Sequence, residues 1–378
     1  MRVLGMMSGT SHDGIDVAVV EFSETAGDDG VLRARLGEHR SVPYSASLRA
    51  DLVAALPPAR PGFEQVCALD VRIGQEFAAA AVAVGEEFDL VCSHGQTVFH
   101  WVEGGQVRGT LQLGQPAWIA EATGRPVVSD LRTADVAAGG QGAPLVPLLD
   151  ALLLAPFVEE GLTAAALNLG GIANVTVCAP GKPVRAWDTG PANALVDVAA
   201  GGIDRDGRLA AAGTVDEGLL ADLLAEPFYA RTPPKSTGKE LFHPGYVEGF
   251  LDGRVPSPAD LVATLTELTV RTVADALAGV DVVVASGGGV RNPVLLAGLR
   301  RELRARVVLS DEIGCPAGEK EAIAFALLGY AFATGRPGNV PSCTGARGER
   351  VLGQVTPGRS GLPATAPREP WPAALHLS

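Results

Sequence analysis

Apolar residues crowd "MRVLGMM" (1–7) and, beyond a Gly-rich turn, return with weak alternation in "DVAVVEF" (16–22). Two such runs across a tight turn predict a β-hairpin at the start of the chain. Residues 64–85 carry apolar positions at helical spacing and predict a helix. "DLVCSHGQTVFH" (89–100) reads as a buried strand running into a loop with a polar tip. "RPVVSDLRTADVAAGGQGAPLVP" (125–147) reads as a strand followed by a Gly-rich loop without periodicity. The apolar density of 145–154 predicts a helix leading toward a second domain.

That second domain repeats the opening design. In "AAALNLGGIANVTVCAP" (164–180) an apolar strand, a Gly-Gly turn and a second apolar strand follow one another. "VRAWDTGPANALVDVAA" (184–200) predicts strand, acidic turn and helix, with further helices over 214–226 and 258–279. "DVVVASGGGVRNPVLLAGLRREL" (281–303) predicts strand, triple-glycine turn and helix, and 319–335 a helix ended by Gly335 with Pro337 just beyond. The Pro-rich tail after Pro357 is expected to be loosely ordered. Strands alternating with helices imply α/β domains, and the two hairpin-led starts imply two related halves about a cleft. The boundary is placed between residues 145 and 146, giving domains 1–145 and 146–378, with a tail that can pack back on the first.

The bulk numbers narrow the function. At 378 residues the chain can hold two full cores, since single cores seldom grow past about 250–300 residues. A formal net charge of −13 argues against a nucleic-acid partner, which needs clustered Lys and Arg. A small anion such as a nucleotide stays possible if backbone N–H groups and a metal carry much of its charge. Cys67, Cys92, Cys178, Cys315 and Cys343 are odd in number and lack CxxC spacing, which fits a reducing compartment and neither a disulfide framework nor a zinc site. No apolar run approaches the roughly 20 residues of a spanning helix, and no signal segment is seen. A soluble, cytoplasmic protein without a membrane partner is expected.

Two nucleotide motifs and the serine-hydrolase elbow are absent. "PPKSTGKE" has Pro233 where a P-loop needs its first glycine, no G-x-G-x-x-G opens a helix, and no G-x-S-x-G elbow occurs. What remains is a set of glycine turns beside aspartates. Gly9-Thr10-Ser11 with Asp13 and Asp16 is either a plain hairpin turn or a phosphate cradle, in which bare backbone approaches oxygen and a carboxylate holds hydrated Mg²⁺. Gly170-Gly171 with Asn174 admits the same two readings. Gly287, Gly288 and Gly289 either allow close strand–helix packing or leave room for a base or ribose, with Arg291 and Asn292 in reach. Asp188 reads as a turn-capping residue, His94 and His100 as hydrogen-bonding loop residues, and Glu319 and Glu321 as acids favoured at a helix start.

Together the segments "MSGTSHDGID", "SHGQTVFH", "SDLRTADVAAGGQGAPLVP", "LNLGGIANVT", "WDTGPANALVD", "PKSTGKELF", "GGGVRNP" and "GNVPSCTGA" resemble the 1,6-anhydro-N-acetylmuramic acid kinase family, from Met7 to about Gly353. The resemblance implies a two-domain actin/hexokinase/Hsp70-like (ribonuclease H-like) fold. It also implies a kinase that uses ATP and Mg²⁺ in bacterial cell-wall recycling, and a homodimer. It assigns Gly9, Thr10, Ser11, His12, Asp13, Gly14, Ile15 and Asp16 to the ATP-phosphate loop, with Asp13 or Asp16 near the metal. Gly170 and Gly171 become the second phosphate loop, Gly287 to Asn292 the nucleoside pocket, and Asp188 the catalytic base. Thr97, Arg132 and Glu321 fall in segments lining the sugar site. His12 stands where the family usually has Leu, and Glu319-Lys320 replaces a more usual acidic-then-apolar pair.

The implied reaction opens the 1,6-anhydro bridge at C1 with water and passes the γ-phosphoryl group of ATP to O6. Glycoside cleavage ordinarily needs an acid and a base; a phosphoryl group accepting O6 removes the need for the acid, so one carboxylate suffices. Two alternatives are a non-catalytic sugar or nucleotide sensor on the same fold and a simple sugar kinase without ring opening.

Overall fold

The predicted opening hairpin forms. In this computed structural model, strand β1 (Arg2–Ser8) runs antiparallel to β2 (Gly14–Ser23), with Met7 opposite Asp16. The structure describes all residues except Thr10, 25–29, 239–240 and 364–369, so the expectation at Thr10 lies outside the described residues. Strand β3 (Val31–Pro43) continues the meander antiparallel to β2. Helices α1 (Ala46–Ala55) and α2 (Phe63–Val82) then lead to β4 (Leu90–Glu103), which lies parallel to β1. The polar tip expected after "DLVC" is instead strand: β4 runs on to Glu103 and pairs antiparallel with β5 (Gln106–Leu113). Helix α3 (Pro116–Thr123) precedes β6 (Val127–Ser129), parallel to β4, and a short helix α4 (Thr133–Ala137) interrupts the expected Gly-rich loop. Leu4, Met6, Val17 and Val19 on the sheet bury against Leu48, Leu52, Ile73, Phe77 and Ile119 on the helices, which explains the apolar residues on that face of the opening strands.

Helix α5 (Pro147–Glu159) carries the chain into the second unit. There β7 (Ala164–Leu169), β8 (Ile172–Cys178) and β9 (Arg185–Pro191) form a second antiparallel meander. Asp188, expected on a turn, sits inside β9 opposite Asn174. Helices α6 (Asn193–Ala200), α7 (Arg208–Ala212), α8 (Glu217–Leu224), α9 (Pro244–Leu251) and α10 (Pro258–Ala276) follow. Strand β10 (Val282–Ser286) returns parallel to β7, and after α11 (Pro293–Glu302) β11 (Arg306–Leu309) adds parallel to β10.

The two sheets share one plan. Along the first the order is β3-β2-β1-β4-β6, and along the second β9-β8-β7-β10-β11. Each is a three-stranded antiparallel meander whose first strand is then extended by two parallel strands. This repeated ribonuclease H-like topology is the expected actin/hexokinase/Hsp70-like class.

Helix α12 (Lys320–Ala333) packs on β1, β2 and β4, and a one-turn helix α13 (Pro341–Thr344) follows. Strand β12 (Gln354–Thr356) pairs with β6, and β13 (Ala374–Leu377) lies parallel to β3. The end of the tail, expected to be loose, is therefore an edge strand. Contacts group 1–153 with 319–378, and 154–318 apart from them. The division thus falls eight residues later than the boundary drawn from sequence, and 319–378 join the first unit.

Candidate functional site

In the first unit the β1–β2 connection is held from outside the hairpin. Gln96 Nε2 donates to Gly9 O (3.2 Å), Tyr44 N to Asp13 O (3.0 Å) and Arg49 Nε to His12 O (3.2 Å). Ser8 Oγ lies 2.8 Å from Gln96 Oε1 and 2.7 Å from Gly14 O, so β4 and the loop are tied at a buried point. Ser11 Oγ donates to Asp13 Oδ1 (2.6 Å). His12 has φ +55°, a left-handed conformation in which His is enriched over apolar residues, so it suits this loop better than Leu would.

The glycines of this loop do different jobs. A Cβ on Gly14 would run into the Val42 carbonyl and sit 2.9 Å from Pro43 Cα, so Gly14 serves strand packing; Ile15 beside it is core. A Cβ on Gly9 would meet only Glu321 Oε2, at 4.0 Å, and its φ lies outside the left-handed range. Among the described residues, neither packing nor a left-handed φ requires glycine at position 9.

Around that loop, charge gathers. Asp16 on β2 and Glu321 in the first turn of α12 are both held above the ordinary carboxylate range, chiefly by burial and then by repulsion from neighbouring acids, while Ser41 opposes the shift at Asp16. For Asp16 those acids are Asp13 and Glu319, and for Glu321 the acid is Asp16 itself. Arg132 opposes the shift at Glu321; burial pulls its guanidinium down to about 10. Arg132 Nε donates to His94 Nε2 (2.9 Å) and Nη1 to Gly142 O (2.6 Å). His94 Nδ1 lies 2.8 Å from Gly95 O, and burial followed by Arg132 pushes the ring down to about 3. His94 is thus a neutral acceptor that orients Arg132, and it lies in β4, not in a loop. Thr97 Oγ1, further along β4, accepts from Gln112 Nε2 (3.1 Å). Lys320, next to Glu321, forms a buried ion pair with Asp150 (2.6 Å).

Crowded carboxylates favour a cation. Among the described residues no three or more His, Cys, Asp or Glu side chains form a metal cage. Asp13 and Asp16 offer the one or two carboxylates by which Mg²⁺ is commonly held, the rest of its shell being water and phosphate.

In the second unit the Gly170-Gly171 turn is held by the start of α6. Ala192 N and Ala194 N donate to Gly171 O (2.9 and 3.0 Å), and Asn193 donates to Gly170 O through both N (3.0 Å) and Nδ2 (2.9 Å). The carbonyls are occupied, whereas neither glycine N–H makes a backbone hydrogen bond among the described residues. A Cβ on either glycine would find nothing nearer than 3.5 Å, and neither has a left-handed φ. At this turn, as at Gly9, neither a Cβ contact with the described residues nor a left-handed φ calls for glycine. Asp188 is held by the 235–237 segment: its N–H donates to Lys235 O (3.0 Å) and its Oδ2 accepts from Thr237 N–H (2.8 Å).

The triple glycine divides. A Cβ on Gly287 would lie 2.6 Å from Asn168 Oδ1, and one on Gly289 2.7 Å from Leu169 Cβ, so both serve packing against β7. Gly288 alone faces open space. Asn292 accepts from Val294 N (3.0 Å) and Leu295 N (3.2 Å) and so caps α11.

The family model described as anhydro-N-acetylmuramic acid kinase matches residues 1–358. The chain belongs to that family. A curated anhydro-N-acetylmuramic acid kinase from Streptomyces avermitilis is 56% identical, covering 100% of both chains. Those from Rhodococcus erythropolis (54%, 96% of each chain) and Streptomyces coelicolor (52%, 100% of this chain and 99% of the other) are nearly as similar. Among solved structures, a ROK family glucokinase from Streptomyces griseus in complex with glucose and AMPPNP is 15% identical, with TM-score 0.37 over 86% of this chain and 98% of that one. That likeness is too slight to carry an argument.

As a member of the anhydro-N-acetylmuramic acid kinase family the chain is a phosphotransferase, and no helix among the described residues is long and apolar enough to cross a membrane. Gln96, Asn193 and Thr237 were not singled out in the sequence, although each lies in a segment that carries the family resemblance. Neither was Asp135, which is fully buried and accepts from Gly142 N (2.8 Å), Asn339 Nδ2 (2.7 Å) and Thr344 Oγ1 (2.7 Å). It fastens "GNVPSCTGA" to the loop that receives Arg132. Asp135→Ala leaves Gly142 N–H and Thr344 Oγ1 without this acceptor, and Asn339 Nδ2 with only Gly348 O (3.3 Å), and is expected to cost roughly 3 kcal/mol. Equilibrium urea unfolding tests this, and an unchanged midpoint would refute it.

Proposed function

We propose that the protein hydrolyses the 1,6-anhydro bridge of 1,6-anhydro-N-acetylmuramic acid and phosphorylates O6 with ATP, giving N-acetylmuramic acid 6-phosphate and ADP. Beyond the family, the reading is carried by one observation: Gly9, Gly170 and Gly171 keep bare backbone that neither φ nor packing demands. Bare N–H groups beside carboxylates suit phosphate oxygens. In this reading Gly9 to Asp16 cradle the β- and γ-phosphates, Gly170 and Gly171 offer two more N–H groups, and Gly288 gives the nucleoside room. Asp13 and Asp16 would hold Mg²⁺, which supplies neutralisation of phosphate charge when bound.

Asp188 takes a proton from water as its oxygen attacks C1. The C1–O6 bond breaks, O6 bonds to the γ-phosphorus, and the bond from that phosphorus to the ADP oxygen breaks. A carboxylate is a weak base, so orientation must supply what basicity does not. The Thr237 N–H on Oδ2 and the backbone bond to Lys235 fix that orientation. Arg132, aimed by His94, and Glu321 bind sugar polar groups, with Thr97 beside them. The product belongs to cell-wall recycling in the cytoplasm, and two copies of the chain pair in solution.

Mass spectrometry after reaction in ¹⁸O-water tests this directly. The expected product has gained one phosphoryl group and one labelled water. Phosphoryl gain alone would make the protein a simple sugar kinase, and no product with ATP still bound would make it a sensor. Gly9→Val is expected to weaken ATP binding about tenfold or more, near 1.4 kcal/mol, because the side chain fills phosphate space. Unchanged ATP affinity on calorimetry would return the loop to a plain hairpin.

A further inference from the structure

Strand β9 presents its flanking side chains to a second set of surroundings. Trp187 and Thr189, on either side of Asp188 in sequence, line a cavity of about 520 Å³ in the second unit. Arg185, Arg231 and Lys235 line it too. The Arg185 guanidinium lies over the Trp187 ring, 5.4 Å from its centroid. Arg231 and Lys235 both sit over Phe228, at 5.8 and 4.8 Å. Two cations thus share one ring. Lys235 Nζ is fixed there by donating to Phe228 O (3.2 Å) and Tyr229 O (2.9 Å).

Among the described residues this gathering has no paired counterion. Asp275 lines the same cavity, yet no carboxylate among the described residues lies within ion-pair distance of the three cations. Burial, and after it repulsion from Arg231, holds the Lys235 ammonium below its ordinary range. In a chain of net charge −13 such a cluster needs a reason. An anion between Arg231 and Lys235 would relieve their repulsion, and two cations match the dianion of a phosphomonoester. The volume is that of a small-ligand pocket, and the rings of Trp187 and Tyr229 suit the apolar C–H face of a sugar.

We propose that this cavity is a second, regulatory site that binds a sugar phosphomonoester, the chemical class of the reaction's product. Its connection to the chemistry is short. Lys235, which holds the anion, also accepts the Asp188 N–H through its carbonyl, and Thr237 two residues on donates to Asp188 Oδ2. Occupancy braces the segment that orients Asp188. The regulatory consequence rests on the role of Asp188 proposed above; the binding does not.

Calorimetry on the full chain, saturated with ADP, tests the site with N-acetylglucosamine 6-phosphate, N-acetylglucosamine and inorganic phosphate as probes. The sugar phosphate is expected to bind best, and an Arg185→Gln/Arg231→Gln double variant to bind it about tenfold more weakly. Both arginines are exposed, so the variant should fold, which a melting curve checks, and its turnover without effector should be unchanged. Equal affinity in the variant would overturn the site, and inorganic phosphate binding as tightly would overturn the sugar-phosphate assignment. Amide exchange at 235–237 is expected to slow on binding; unchanged exchange would overturn the coupling to Asp188. A wholly inactive kinase would leave the calorimetric result standing, so the two readings fail separately.

Discussion

Asp188→Asn is expected to fold, to bind ATP and sugar, and to turn over about 10²–10⁴-fold more slowly, the usual worth of a general base. The carboxamide has the shape of the carboxylate and still offers an oxygen to the Thr237 N–H, while the bond to Lys235 is a backbone bond that the substitution does not touch. What it lacks is the ability to take a proton from water. The loss should therefore fall on kcat with KM nearly unchanged, since an interaction made only in the transition state is removed. Steady-state kinetics with a melting curve and a nucleotide titration would check all three points. Near-normal turnover would remove Asp188 from the mechanism, whereas a lowered melting temperature would shift the loss to the fold.

That Asp188 lies in a strand was not legible from "WDTGP", where Asp, Gly and Pro together signal a turn. The segment is strand because β8 and the 235–237 segment supply partners on either side of Asp188, and one of them is 49 residues away. The same cause hid the second half of β4. "SHGQTVFH" is polar because it carries Gln96 and Thr97, and only pairing with β5 makes it extended. The two hairpins at 1–22 and 164–178 could be read because each is local, an apolar run on both sides of glycine. Strand β13 could not, since four residues of "ALHL" become a strand only by lying along β3, more than 300 residues earlier.

Within the site, the sequence displays glycines but not their reasons. Gly9 and Gly14 look alike in "SGTSHDG", yet the atoms that require glycine at 14 belong to Val42 and Pro43 on another strand. Gly287 and Gly289 are likewise demanded by Asn168 and Leu169, which leaves Gly288 as the open one. At Asn292 the signal was present. Asn followed by Pro at the head of an apolar run marks a helix N-cap, and the side chain accepts two N–H groups there.

Gly5→Ala is expected to destabilise the first unit by about 3 kcal/mol or more, toward the upper range for overpacking. Helix α12 lies so close over β1 that a Cβ on Gly5 would be 2.5 Å from Ala326 N, with the Ala322 carbonyl oxygen closer still. Both are backbone atoms of a helix and cannot rotate aside as a side chain would. The helix has no slack elsewhere: a Cβ on Gly329 would meet Cys92 Cβ at 2.7 Å and Val3 Cγ1 at 2.9 Å. Relief requires α12 to lift as a body, and Glu321, one residue before Ala322, lifts with it. The prediction therefore has two parts, a lower urea midpoint and weaker sugar binding in whatever protein remains folded. Gly62→Ala is the control, because nothing lies within 4 Å of its Cβ position and its φ is −73°. Its stability should stay within about 0.5 kcal/mol of the parent. Equal midpoints for the two variants would mean that α12 adjusts freely over β1, and the position of Glu321 would then need another anchor than this contact.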